Sequence, residues 1–442
     1  QLMHIATDGE SYGHHHRFGD MALAYAFELL ERDPEVRLTN YGAFLELFPP
    51  AEEVEIHENS AWSCSHGLGR WNEDCGCRIG HPDWHQKWRK PLRAALTALQ
   101  EALHQAFEKE GKKFLAHPWV ARDDYLALLH DRSPEARRRF LESHQARPLP
   151  PDEAATAIKL LEMEYCGQLM MTSCGWFFDE LSGPETVQNL QYASRAMELA
   201  RGAGIPDPEP AFLDLLEKAP SNLPEYEHGR GVLQKLVRPA VRDVTSLARY
   251  HALSALFDDP PAFFRKYGNT LENLAAERLA SGPFTLALGK IRITTDLTGE
   301  QEVAHYAALH LGGHEFSAAV KAVLDQRGYD QLRAELAVAF QHGQVADTLR
   351  LLDLHFGKQA CDLSCIPEDE RRDLMHRVVK SVMGDLGDTY RKIYEDNRKL
   401  MLELKKWDLT PPRGFLVAAE YTLAEALEGI FEVPDAALAS RH

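Results

Sequence analysis

The sequence predicts a mainly α chain with a minor β part, and three observations carry that reading. Apolar residues recur at spacings of three and four through most of residues 86 to 285 and again from about 328 onward, which places them on one face of successive helices. Between about 287 and 320 the period changes to that of strands. The opening Leu2-Met-His-Ile-Ala-Thr-Asp8-Gly-Glu10 is a short, mostly apolar run ending in acids and glycine, and it reads as a buried strand delivering polar residues at its C-terminal end.

Composition bounds what the chain does. At 442 residues, roughly 150 per domain allows about two to four domains. With 44% hydrophobic and 26% charged residues, a disordered or fibrous chain is excluded. Lys and Arg number 49 against 67 Asp and Glu, so the net charge of −18 repels phosphate backbones. No nucleic-acid partner is expected, whereas a neutral oligo- or polysaccharide meets no repulsion. The longest apolar runs, such as 21–27, fall well short of the roughly 20 residues of a membrane span, so no membrane partner is expected. Seven cysteines are too few, and odd in number, for a disulfide scaffold, and a reducing cytoplasm fits best. The first residue is Gln and no signal-peptide pattern follows, so a processed chain or a piece of a longer protein is expected.

Along the chain, residues 18–31 read as a helix with Met21, Ala24, Tyr25, Leu29 and Leu30 on one side, stopped by Asp33-Pro34. Residues 32–85 are loop-rich, with many Gly, Cys, His and Trp, and close a first region over 1–85. A helical domain spans 86–285. Its first helix carries Trp88, Leu92, Ala95, Leu96, Leu99, Leu103 and Phe107 and ends at Gly111. Ser133-Pro134-Glu135 opens another with an N-cap and a first-turn proline, and further helices begin at Asp152 and Glu185. A small β element covers 286–325, with a hairpin turning at Asp296-Leu-Thr-Gly299. Helices return over 326–442, the longest from Pro367 to Lys406. Cys361 and Cys365 there read as structural.

Three constellations could carry chemistry. In Thr7-Asp8-Gly-Glu10-Ser-Tyr12-Gly13-His14-His15-His16, a strand would turn Asp8 and Glu10 to one face. Neighbouring carboxylates push one pKa up, which makes a proton donor near neutrality. The alternative is a helix cap with surface histidines. In Trp62-Ser-Cys64-Ser-His66-Gly-Leu-Gly-Arg70-Trp71-Asn-Glu73-Asp74-Cys75-Gly-Cys77, followed by His81 and His85, enough sulfur and nitrogen is present for zinc. The C-x-H and C-x-C spacings are not the usual ones, and the alternative is small buried thiols. Trp62 and Trp71 fit sugar stacking or packing under the loop. In the third, Cys174-Gly-Trp176-Phe-Phe-Asp179-Glu180, Trp176 and Asp179 are the candidate ligand residues, with core packing as the alternative.

The first constellation resembles the fourth motif of glycoside hydrolase family 57, roughly Asp-x-Glu-x-Phe-Gly-His-x-Trp. The match holds at Asp8, Glu10, Gly13 and His14 and departs at Tyr12 and His16. The segments from Trp62 to Cys77 and Thr172 to Gln188 are similar to the uncharacterised domain that follows family-57-like catalytic domains in some bacterial and archaeal proteins. The resemblance implies that Asp8 is the general acid/base, with Glu10 and His14 orienting it. It places Tyr12, His16, Trp62, Trp71, Trp176 and Asp179 along a sugar cleft. It implies the last strand or strands of an incomplete (β/α)7 barrel ahead of the helical domain. The chemistry would be retaining cleavage or transfer of α-glucosidic bonds. The family's nucleophile and earlier barrel strands have no counterpart in this sequence, so a C-terminal portion of such a protein is expected. The competing readings are a non-catalytic carbohydrate-binding or regulatory protein and a metal-stabilised interaction module. No cofactor is expected unless Cys64, His66, Cys75 and Cys77 hold a structural zinc. The sequence leaves the oligomeric state open.

Overall fold

Helix dominates the computed structural model of the chain, and the strands gather into one sheet. The structure describes residues 2–313, 315–321, 326–357 and 362–431. It divides into two compact units, Gln1–Trp62 and Ser63–His442.

The first unit holds α1 (Gly19–Glu31) and α2 (Tyr41–Leu47). The helix predicted over 18–31 forms, but none of the unit's described residues is buried. The strand predicted over 2–10 is corrected. Residues 2–8 have no regular structure, and Gly9–Ser11 form a 3-10 turn. A strand needs a neighbour to satisfy its N–H and C=O groups. Here Met3 and Ile5, which made the run look buried, are 89% and 79% exposed. The (β/α)7 barrel implied by the resemblance has no counterpart among the described residues, whose strands all pair antiparallel.

The second unit begins with a loop and then a helical body: α3 (Arg89–Gly111), α4 (Pro118–Asp124), α5 (Leu126–His130), α6 (Pro134–His144), α7 (Pro151–Leu169), α8 (Pro184–Gly202), α9 (Glu209–Leu216) and α10 (Gly229–Val232). The predicted stripe of α3, from Leu92 to Phe107, is buried against Ile158 and Leu161 of α7 and Leu190 and Met197 of α8. Ser133 caps α6 by accepting from the Ala136 N–H at 3.2 Å, and proline at the first position fixes φ at the starts of α6, α7 and α8. A π-helical turn over Leu233–Val237 leads to α11 (Val244–Ser254), capped by Asp243.

The sheet is a five-stranded antiparallel meander of β1 (Phe263–Lys266), β2 (Asn269–Ser281), β3 (Phe284–Thr295), β4 (Gln301–His310) and β5 (Phe316–Lys321). The β3–β4 turn falls at 296–300 as predicted, but the β element starts at Phe263 and not at 286. β2 reads Asn-Thr-Leu-Glu-Asn-Leu-Ala-Ala-Glu-Arg-Leu-Ala, which is rich in helix formers. Pairing with β3 along its length overrides that propensity, because strand preference is largely a matter of what the strand packs against. Leu286, Leu288, Ala307 and Leu309 face α12 (Gln326–Gln341) and α13 (Val345–Phe356), while Ala287, Ile291, Ile293 and Tyr306 face α11 and the start of α14 (Glu368–Lys406). α15 (Arg413–Phe431) packs along α14. Cys361 and the side chain of Cys365 lie outside the described residues. No helix among the described residues is long and apolar enough to cross a membrane.

Candidate metal centre

The loop between Ser63 and α3 has few aliphatic residues, and polar anchors hold it onto the helical body. The Asp179 carboxylate accepts from the backbone N–H groups of Ile79 at 3.0 Å and Gly80 at 2.8 Å. Its backbone carbonyl accepts from Trp88 Nε1 at 3.0 Å. Trp71 Nε1 donates to the Ser173 carbonyl at 3.2 Å, and Arg93 Nε donates to the Trp71 carbonyl at 3.0 Å. Asp74 accepts from the Gln86 N–H at 3.0 Å. The Trp62–Cys77 and Thr172–Asp179 constellations therefore meet along this seam from Ser63 onward.

Within the loop Cys64, His66, Cys75 and Cys77 converge, with their ligand atoms all within 4.8 Å of one another. Cys64 Sγ lies 3.9 Å from Cys75 Sγ and 3.8 Å from Cys77 Sγ. His66 Nδ1 lies 3.8 Å from Cys64 Sγ and 3.4 Å from Cys77 Sγ. These separations are far too long for an S–S bond of about 2.05 Å. A tetrahedron with metal–sulfur bonds of about 2.3 Å puts its sulfurs about 3.8 Å apart, which the observed pairs match. Two glycines permit the geometry. Gly76 adopts φ +78°, so that Cys75 and Cys77 can turn back to one point. A Cβ on Gly69 would come within 2.9 Å of the Cys75 Cβ. The cluster could hold a metal ion.

The electrostatics are those of an anion site. Burial opposes ionisation of Cys64, but hydrogen bonds from the His66 backbone and ring and from the Arg70 backbone outweigh it and bring the thiol to about 6. Burial and the neighbouring sulfurs of Cys64 and Cys75 push the Cys77 thiol up. Beneath them Arg89 is fully buried; it donates from Nη1 to Cys75 Sγ at 3.7 Å and from Nη2 to the Phe178 carbonyl at 3.3 Å. Burial lowers its pKa and the Cys75 sulfur opposes that shift. Arg70, also buried, donates to the carbonyls of Phe177 at 3.0 Å and Ser63 at 3.1 Å. Among the described residues neither guanidinium has a carboxylate within ion-pair distance. A buried cation needs a counter-charge, and for Arg89 the Cys75 sulfur supplies the largest one, with the Asp179 and Asp74 carboxylates adding to it from beyond ion-pair distance.

The remaining predicted site residues are placed as follows. Trp176 is fully enclosed, with the Arg93 guanidinium 4.1 Å from its ring centre. Asp179 is buried and its carboxylate is committed to the loop backbone. His81 stacks on Trp84 at 3.8 Å and is outside the ligand cluster, as is His85. In the first unit, Trp62 is 84% exposed. There the 8–16 segment folds into a compact turn in which His15 N–H donates to the Glu10 carbonyl at 3.0 Å and His16 N–H to the Ser11 carbonyl at 3.2 Å. Thr7 Oγ1 meets the Tyr12 hydroxyl at 3.2 Å. Asp8, Glu10, His14 and His16 are exposed on this turn and Tyr12 is half-buried. Sequence reasoning missed Arg89. The available signal was its spacing three before Leu92 and seven before Leu96, which sets a cation on the buried stripe of α3.

A family model described as a domain of unknown function (DUF3536) matches residues 84–366. The matched span holds Arg89, Asp179 and the whole sheet, and the four ligand residues precede it. No curated protein and no solved structure matches the chain.

Proposed function

The chain belongs to the DUF3536 family, and from that premise we propose a carbohydrate-active protein in which Cys64, His66, Cys75 and Cys77 hold one structural zinc ion. The observation that supports zinc best is the near-tetrahedral spacing of three sulfurs and one imidazole nitrogen above a buried Arg89 that donates to one of those sulfurs and has no carboxylate within ion-pair distance among the described residues. Three thiolates and a divalent ion sum to −1, which matches the one guanidinium that donates to a ligand sulfur. Soft thiolates favour zinc over magnesium or calcium, and four protein ligands leave no open position, the mark of a structural site. Zinc would crosslink a loop that has little apolar surface of its own to bury. A reducing compartment such as the cytoplasm keeps such thiols available as ligands.

The carbohydrate part of the reading rests on a separate observation, the pattern Asp8-x-Glu10-x-x-Gly13-His14 with its resemblance to family 57. In this reading the Asp8 carboxyl gives a proton to the leaving glycosidic oxygen while a nucleophilic carboxylate, which the resemblance does not find in this sequence, takes the glycosyl group; Asp8 later takes a proton from the attacking hydroxyl or water, with Glu10 and His14 orienting it. Water as acceptor gives hydrolysis of an α-glucan, and a sugar hydroxyl gives transfer. The test has two arms on the full chain. Purified protein should carry one zinc per chain, and Cys75→Ser should lose it; protein that binds no stoichiometric metal with zinc supplied would refute the centre. Turnover of maltoheptaose, assayed with the nucleophile-bearing segment present, should fall at least a hundred-fold in Asp8→Asn; undiminished turnover in that variant would refute the role of Asp8.

A further inference from the structure

A cleft of about 750 Å³ opens where the helical body of the second unit meets the turns of the sheet. That volume lies within the roughly 300–1,000 Å³ of ligand pockets. Its walls are α7 and α8 on one side and the β1–β2 and β3–β4 turns on the other. The walls are tied together. Arg137 Nη1 donates to the carbonyls of Asp296 at 2.9 Å and Leu297 at 3.0 Å, and Lys159 Nζ meets Glu300 Oε1 at 2.5 Å. The cleft is thus held open by fixed contacts, so a ligand would meet a largely preformed site.

The lining chemistry narrows the ligand. Four cationic and five acidic side chains line the cleft, a balance of 4 − 5 = −1. Several are already paired inside it: Arg195 with Glu198 at 2.7 Å, Lys159 with Glu300, and Glu162 with the Tyr125 hydroxyl at 2.6 Å. No net positive field remains to hold a nucleotide or phosphate. An apolar ligand would strand these paired charges away from water. Gln191 and Ser194, three apart on one face of α8, and Glu302 on β4 also line the cleft, and their side chains have no hydrogen-bond partner among the described residues. They offer an amide, a hydroxyl and a carboxylate, a mixed set of donors and acceptors that hydroxyl groups satisfy in both directions. At the cleft edge Tyr267 (φ +50°) and Gly268 (φ +70°) are the two central residues of the tight β1–β2 hairpin turn, which puts the Tyr267 ring under Arg242.

We propose that this cleft binds a neutral, hydroxyl-rich ligand, a short oligosaccharide, at a site separate from the Asp8 segment. The choice of a sugar probe rests on the carbohydrate-active reading; the exclusion of anions and of apolar ligands does not. The test is isothermal titration of the full chain with maltotetraose and cellotetraose, with pyrophosphate as the anionic comparison. Wild type and Asp8→Asn should bind one of the sugars equally well. The Gln191→Ala/Glu302→Ala double variant, altered only at exposed positions, should bind it at least ten-fold more weakly with unchanged thermal stability. Gln191→Trp, which puts an indole ring in place of the amide on the α8 wall, should weaken binding at least as much. Failure of both sugars to bind, equal affinity in the cleft variants, or tighter cleft-dependent binding of pyrophosphate would each overturn the site. Cleft-dependent sugar binding without turnover supports the site and removes the catalytic role of Asp8. Turnover that depends on Asp8, with cleft variants indifferent, removes the site alone.

Discussion

Arg89 is a fully buried cation whose nearest anionic partner depends on the state of the sulfurs above it. With metal and three thiolates in place its charge is matched; with neutral thiols only the carboxylates of Asp179 and Asp74, beyond ion-pair distance, offset a desolvated charge. Arg89→Met keeps much of the volume and removes the charge. It should weaken zinc affinity about 10–100-fold, as loss of an outer-shell partner does, and should stabilise the metal-free protein. Competition with a chromophoric chelator and melting of the chelated protein measure the two effects. Glu164 is a second residue whose ionisation matters. It is fully buried in the helical body, with His104 Nε2 at 3.1 Å, and burial raises its pKa to about 7. Burial also lowers the His104 pKa. A carboxyl raised on folding helps stability below its unfolded pKa, and that help is lost as pH rises through the folded value. Glu164→Gln should therefore change stability little near pH 4 and raise it by about 1–3 kcal/mol at pH 9. Denaturant melts across that range test the sign; a gain that does not grow with pH contradicts it. At this scale Cys64, His66, Cys75 and Cys77 were legible as candidate ligands from residue type alone. Their convergence was not, because it depends on Gly76 at positive φ and on anchors about 100 residues away.

The loop that carries the ligands is an element defined by tethers. Asp179 was legible as unusual, an acid in an aromatic segment, yet its carboxylate serves the backbone of residues 79 and 80. Asp179→Ala strands two N–H groups and should cost about 1–3 kcal/mol. It should also expose the 78–83 stretch to limited proteolysis while zinc stays bound. Mapping the first cleavage sites by mass spectrometry tests this, and cleavage elsewhere with 78–83 protected would contradict it. Among the helices, the cap and first-turn proline at Ser133-Pro134 made the start of α6 legible, and an unbroken stripe did the same for α3. β2 was not legible, because its composition favours helix and only its pairing with β3 makes it a strand. The opening strand failed for the complementary reason: an apolar run has strand potential, but without a neighbouring strand its backbone stays unpaired.

Over the whole molecule, the second unit combines a helical body, a sheet covered on both faces and a loop with its own ligand cluster, and the balance of helix over strand was readable from periodicity alone. The cleft between body and sheet was not readable, since its walls come from residues more than 100 positions apart. If the cluster is a zinc crosslink, its removal should act on the fold as a unit. Chelation should lower the melting temperature of the full chain, and resupplied zinc should restore it. The most direct measurement is X-ray absorption at the zinc edge on protein purified with zinc present. The prediction is one ion per chain with three sulfur neighbours at about 2.3 Å and one nitrogen at about 2.0–2.1 Å, and loss of one sulfur in Cys64→Ser. A spectrum of oxygen and nitrogen neighbours only, or one unchanged by Cys64→Ser, would contradict the centre.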